Sequence, residues 1–331
     1  MAVYDTHAHV FPSVRERLQD QLPPSLLHTF DEWVKKSSVP PGFSALKTYW
    51  VKWLQNLESK GKSIDIETVA GFQTRFHPQM FKVIEGLISA VLGPTQMLQG
   101  STANLLESMA TNQIDKTVII ASSTSSPNDW ILDQAAEHPS LIPVVSLPLL
   151  APTSTLEDYG RELERLMERG AKGFKIHTNF DNLTGENPAY RAYFETARAH
   201  SKFIILHTGC FHVPQYKNPA CPTLSEFEHF FQEFPEVRVC LAHMNRENPE
   251  EAWVYMKRYD QVFADTSWQT SANIRQAQSA VGHDRILLGS DWPLLHKNLQ
   301  ANALDVLRQA LSDNQVEQIM GRNAEVFLGL D

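Results

Sequence analysis

Only three cysteines occur in the 331-residue chain, Cys210, Cys221 and Cys240, and none forms a C-x-x-C pair. Three is an odd number for a disulfide framework, so a reducing cytoplasm is the expected location. Long apolar runs are also missing. No window approaches eighteen uninterrupted apolar residues, which argues against a membrane span, and the start, MAVYDTHAHV, lacks the basic and apolar regions of a secretory signal. Positive charge is in deficit: 29 Lys and Arg against 38 Asp and Glu leave −9 with neutral His. A nucleic-acid surface would need a basic stripe, so no nucleic-acid partner is expected. Several catalytic signatures fail as well. No G-x-G-x-x-G follows a strand to hold a dinucleotide. Gly42-Phe43-Ser44-Ala45-Leu46 misses the last position of a G-x-S-x-G elbow. Gly61-Lys62-Ser63 is not a P-loop, because Asn56 stands where the first glycine is required. What is present is a globular composition, 42% hydrophobic and 20% charged, long enough for a large core.

From about residue 115 the chain alternates between short aliphatic runs and helical periodicity. The runs are Thr117–Ala121, Leu141–Leu147, Lys172–His177, Phe203–His207, Val237–His243, Gln261–Asp265 and Arg285–Asp291. Between them, Leu156, Tyr159, Leu163 and Leu166 step by three or four, as do Phe227, Phe230, Phe231 and Phe234. With Ala2–His9 these make eight candidate strands separated mainly by helices. Such alternation implies a parallel sheet, and eight units are the number that closes a (β/α)8 TIM barrel. An open doubly wound sheet is the runner-up. The expected organisation is a single domain over 1–331, with a helical insert within 12–112 after the first strand. That insert holds Trp33, Trp50 and Trp53 and two apolar helical faces. It reads as a subdomain with its own small core, as a lid, or as a homo-oligomer contact. The subdomain reading comes first, and departure from the catalytic end of the first strand raises the lid reading.

The positions of the polar residues carry the chemistry. His7 and His9 stand two apart at the end of the first run, so a pleated strand turns both to one face. Lys175 and His177 repeat that spacing in the fourth. His207, His243 and Asp291 close the fifth, sixth and eighth. In a parallel barrel these ends share one rim, where barrel enzymes place their active sites. Buried polar groups gathered there need compensation. One divalent metal supplies it: imidazoles and a carboxylate suit zinc, with manganese or iron as alternatives. His28, His77, His138, His200 and His229 read as surface or packing residues.

The ordered set DTHAHVFP, GFKIH, IILHTG, LAHMN, RILLGSDWP and NAEVFLGL resembles the amidohydrolase superfamily, in its amidohydrolase-related (amidohydrolase 2) branch. The resemblance spans essentially the whole chain, and covers the insert least. It implies metal ligation by His7, His9, His207 and Asp291, with Asp291 also handling the proton of the attacking water. It implies an acid–base or polarising role for His243. In binuclear members a strand-4 lysine is carbamylated between two metals; in this branch a K-[IL]-H sequence leaves an ammonium facing the substrate. Lys175 matches either, and one metal is expected. Thr178 stands where members of this branch usually have proline. The expected activity is metal-dependent hydrolysis of an amide, ester or C–C bond in a small carboxylated substrate. The alternatives are non-oxidative decarboxylation, as in relatives resembling aminocarboxymuconate-semialdehyde and resorcylate decarboxylases, and metal-independent lactone hydrolysis. Candidate substrate contacts are Lys175, His177, Arg246, Trp268 and Trp292, with His212 and His296 in neighbouring loops. Arg246 is either a carboxylate fork or a rim partner of Glu247 or Glu250.

Overall fold

A computed structural model describes residues 1–12, 99–122, 125–147, 154–178, 187–210, 223–294 and 298–330. Eight parallel strands run β1 (Tyr4–Ala8), β2 (Lys116–Ile120), β3 (Leu141–Val145), β4 (Gly173–Ile176), β5 (Phe203–His207), β6 (Val239–Ala242), β7 (Val262–Asp265) and β8 (Ile286–Leu287). Each pairs with its sequence neighbour. The last returns to the first: Thr6 N–H donates to the Leu288 carbonyl (2.8 Å), Asp291 N–H to that of His7 (2.7 Å) and His9 N–H to that of Trp292 (2.6 Å). The expected (β/α)8 TIM barrel is therefore present. Strand 8 is shorter than the apolar run suggested, because its pairing with β7 stops at Leu287 and the next backbone N–H groups, of Gly289 and Ser290, turn to side chains. Ser290 N–H, for example, donates to Asp5 Oδ1 at 3.0 Å.

Helices α1 (Thr102–Asn112), α2 (Asn128–Glu137), α3 (Leu156–Glu168), α4 (Pro188–Ala199), α5 (Glu228–Glu233), α6 (Pro249–Arg258), α7 (Ser271–Val281), α8 (Leu299–Ala310), α9 (Asp313–Met320) and α10 (Arg322–Leu328) accompany the strands. Helix α3 begins at a Thr155–Asp158 capping box, which satisfies two otherwise orphaned donors. The period of two sorts the strand residues into two apolar sets. Val118, Ile120, Phe203, Ile205, Cys240 and Phe263 form one cluster, closed by Phe327 and Leu328 of α10. Ile119, Ala121, Ile204, Leu206, Val239 and Leu241 alternate with them and pack with the helical layer. The first set fills the barrel from below, and the next inward positions, Lys175, His207 and Asp265, open the site above it.

Simple alternation fails at two strands, and both failures build the site. In β1 the register shifts between Asp5 and Ala8, a bulge-like adjustment. It sends His7 and His9 to the side of Asp291, while Ala8 joins the outer layer. In β6 alternation would place residue 243 with Val239 and Leu241. Instead His243, Met244, Asn245 and Arg246 take φ values of 61°, 45°, 55° and 21°, and the turn swings the His243 ring over the barrel. Each such non-glycine position costs on the order of 1–2 kcal/mol, so the turn needs external support.

The insert lies outside the described residues from 13 to 98. Its two ends meet, with Phe11 N–H donating to the Gly100 carbonyl at 2.8 Å. No helix among the described residues is long and apolar enough to cross a membrane. Cys240 is a buried free thiol, whereas Cys210 is disulfide-bonded, a departure from the thiols expected of a reducing compartment.

Candidate active site

His7 Nε2 and His9 Nε2 stand 3.4 and 3.1 Å from Asp291 Oδ1. All three residues are buried, and Asp291 Oδ1 takes no hydrogen bond of good geometry. A carboxylate oxygen left this way away from water is costly. Two imidazole nitrogens and one carboxylate oxygen, converging within a few ångströms, are a donor set that fits a divalent transition ion. The other oxygen, Oδ2, accepts from Trp268 Nε1–H at 2.5 Å, which fixes the carboxylate plane. Burial would push the Asp291 carboxyl up, but the neighbouring imidazoles of His7, His9 and His243 hold it well below its ordinary value.

Behind this cluster lies Asp265, at the end of β7 and fully buried. Its Oδ2 accepts from His7 Nδ1 at 2.9 Å. Its Oδ1 accepts from the backbone N–H groups of His243 (3.1 Å) and Ser267 (3.0 Å) and from the Ser267 hydroxyl. Burial opposes ionisation here too, yet His7 and Ser267 keep this carboxyl below its usual range. A carboxylate orienting a ligand histidine through its second nitrogen is a recurring metal-site device. Gly289 makes it fit, since a Cβ there would lie 2.9 Å from the Asp265 carboxyl carbon.

His243 and His207 face each other, with Nε2 and Nδ1 3.3 Å apart. His207 belongs to neither of the histidine–carboxylate groupings compact enough for an ion among the described residues. Burial drives both imidazoles, and that of His177, well towards the neutral form. Lys175 Nζ stands 3.3 Å from His7 Nε2, and burial lowers its ammonium to about 8 despite the nearby Asp265 and Asp291.

Asp5 ties the first and last strands below the ligands. It accepts from His7 N–H (3.2 Å), Ser290 N–H (3.0 Å), Ser290 Oγ (2.6 Å) and Gln300 Nε2 (2.9 Å). Burial raises its pKa to about 6 against these donors.

Of the residues singled out from sequence, His7, His9, Lys175, His207, His243 and Asp291 meet at the mouth. His177 points its Nε2 at the Ala121 carbonyl, 2.9 Å away. Arg246 is buried and stacks over the Trp268 ring at 5.2 Å. It donates to the Cys210 carbonyl at 3.2 Å and lies 3.9 Å from Glu247. Trp292 is fully buried in the apolar core, and its carbonyl supports His9. His212 and His296 lie outside the described residues. Sequence reading passed over Asp5, Asp265, Ser267 and Gln269. The available signal was a strand ending in Asp265 at the same level as the other rim residues.

Comparison with known proteins places this geometry. The amidohydrolase family model matches residues 4–330. A 2-amino-3-carboxymuconate-6-semialdehyde decarboxylase of Dictyostelium discoideum is 24% identical over 245 residues, 62% of this chain and 66% of that protein, just under two thirds of its length. A dihydroxybenzoic acid decarboxylase of Polaromonas sp. JS666, solved with manganese and an inhibitor, superposes with a TM-score of 0.55 at 18% identity, over 72% of this chain and 89% of that one. A probable 2-pyrone-4,6-dicarboxylic acid hydrolase of Acinetobacter baumannii superposes with a TM-score of 0.56 at 15% identity, over 99% of this chain and 100% of that one.

Proposed function

This chain belongs to the amidohydrolase family, and from that premise we propose that it is a metal-dependent, non-oxidative decarboxylase of a small unsaturated or aromatic carboxylic acid. The observation that carries the reading is the buried His7–His9–Asp291 cluster with the Lys175 ammonium beside it. The activities named for the Dictyostelium and Polaromonas relatives support decarboxylation over the hydrolysis expected first.

His7, His9 and Asp291, with His207 beside them, would hold a divalent cation, which would supply Lewis acidity towards substrate oxygens; zinc is the first expectation, with manganese or iron as alternatives. Lys175, buried and cationic, attracts an anionic substrate into the mouth. Arg246, over the Trp268 ring, presents a fork for a second carboxylate or hydroxyl. His243 moves a proton at Nε2. In the net reaction the C–C bond to the carboxylate breaks, carbon dioxide leaves, and the substrate carbon takes a proton. A single domain over 1–331 that includes the 12–112 insert belongs to the same proposal.

A second reading, hydrolysis of a lactone dicarboxylate, is supported by the Acinetobacter structure, whose match extends over nearly the whole chain. Metal content per chain, measured on protein purified without chelator beside Asp291→Ala, tests the site. One ion per chain, lost in the variant, is expected. Absence of any ion from folded protein that cannot be reconstituted overturns the metal reading. Carbon dioxide release from dihydroxybenzoic acids, against ring opening of 2-pyrone-4,6-dicarboxylic acid, separates the two activities. A cytoplasmic location belongs to the same proposal. Trapping thiols at lysis tests it, since Cys210 found disulfide-bonded in the cell places the chain in an oxidising compartment.

A further inference from the structure

The segment after β7 reads Asp265-Thr266-Ser267-Trp268-Gln269, and its alternate side chains all reach one residue. Asp265 Oδ1 accepts from the His243 backbone N–H at 3.1 Å. Ser267 Oγ lies 2.7 Å from His243 Nδ1. Gln269 Nε2 donates to the His243 carbonyl at 2.6 Å, with its own Oε1 held by Asn273 of α7 at 2.9 Å. Backbone donor, ring and backbone acceptor of His243 are thus each taken by a buried side chain from one neighbouring strand end.

Hydrogen-bond counting fixes the ring. Asp265 Oδ1 already receives two backbone N–H groups, which are obligate donors, so this oxygen acts only as an acceptor. The Ser267 hydroxyl, in close contact with it, has one proton and must spend it there. Ser267 Oγ then has only lone pairs to offer His243 Nδ1, so Nδ1 carries the hydrogen. We propose that Asp265, Ser267 and Gln269 are positioning residues that clamp His243 in its left-handed turn and hold its ring as the Nδ1–H tautomer, with the Nε2 lone pair turned to His207.

His7 receives the same instruction from the same carboxylate, since its Nδ1 donates to Asp265 Oδ2. The Nε2 lone pair of His243 accepts from His207 Nδ1, 3.3 Å away, which leaves Nε2 as the lone-pair nitrogen of His207. One buried carboxylate therefore aligns three imidazoles.

The purpose of the clamp rests on the acid–base role proposed above, but its test needs no substrate. Zinc-loaded protein carrying 15N-histidine is studied by long-range 1H–15N correlation, with the His243 signals identified by their loss in His243→Asn. The expected result is a protonated-type shift at His243 Nδ1 and an unprotonated-type shift at Nε2. Ser267→Ala is expected to populate the Nε2–H form, Ser267→Thr to restore the original pattern, and His7 to stay unchanged in both as an internal reference. An Nε2–H signal from His243 in the wild type overturns the clamp even if Ser267→Ala fails to fold. Retention of the full Nδ1–H pattern in a folded Ser267→Ala protein does the same. Neither outcome depends on turnover, so a decarboxylation screen that fails tests the proposed activity and leaves the tautomer result standing.

Discussion

Replacing Asp265 by asparagine keeps the shape of the side chain and removes one acceptor. In the native site five donors point at its two oxygens: the His243 and Ser267 backbone N–H groups and the Ser267 hydroxyl at Oδ1, and His7 Nδ1 and, more weakly, the Cys240 thiol at Oδ2. An amide has a single oxygen. If that oxygen stays with the three donors, the new NH2 faces His7 Nδ1–H, donor against donor. His7 then escapes only by moving its proton to Nε2, the nitrogen 3.4 Å from Asp291 Oδ1 that is to bind the ion. The reverse placement of the amide leaves three donors facing an NH2, which is worse. A lost hydrogen bond to a charged group with a buried donor left over costs about 1.5–3 kcal/mol. Loss of a partner behind a metal ligand typically weakens metal affinity by about 10–100-fold, which is of similar size. Competition with a calibrated chelator for zinc, together with thermal melting of the metal-free protein, measures both. An Asp265→Asn protein that binds zinc within about twofold of wild type and melts with it would refute the reasoning.

Two further outcomes follow from the same geometry. The Lys175 ammonium sits at about 8 in the fold against 10.5 in water, so between those pH values the unfolded chain binds more protons and wild-type stability rises with pH. Below pH 8 the full cost is present, roughly 3 kcal/mol. Metal-free Lys175→Met is therefore expected to be more stable than wild type at pH 7, with the advantage shrinking towards pH 10; denaturant titrations that show a constant difference contradict this. Gly289→Ala would set a methyl carbon 2.9 Å from the Asp265 carboxyl, and is expected to cost about 1–3 kcal/mol and to weaken zinc binding in the same chelator assay. A variant with wild-type stability and affinity would show that β8 has room to shift.

The architecture and most of the rim were legible in the residues alone. Alternating aliphatic runs and helical periodicity give a parallel barrel because each pattern has one face that must be buried. The ends of those runs give His7, His9, Lys175, His207, His243 and Asp291 because all strands of such a barrel point the same way. The fine strand limits were less legible, as at β8, where the apolar run outlasts the ladder.

What the sequence could not decide depends on contacts between residues far apart along the chain. Strict alternation puts His243 on the outer layer, and only the positive-φ turn, held by Asp265, Thr208 and Gln269, swings it inward. Likewise Asp5 and Asp265 look like ordinary strand residues until β8 and β1 close over them. A hydrogen bond joining residues more than 200 positions apart, such as His7 to Asp265, leaves no local pattern to read. The sequence by itself determined which ionisable groups stand at the strand ends; the tertiary structure decided which nitrogen of each histidine faces the barrel mouth, because that choice is made by the partner on the other side of the ring.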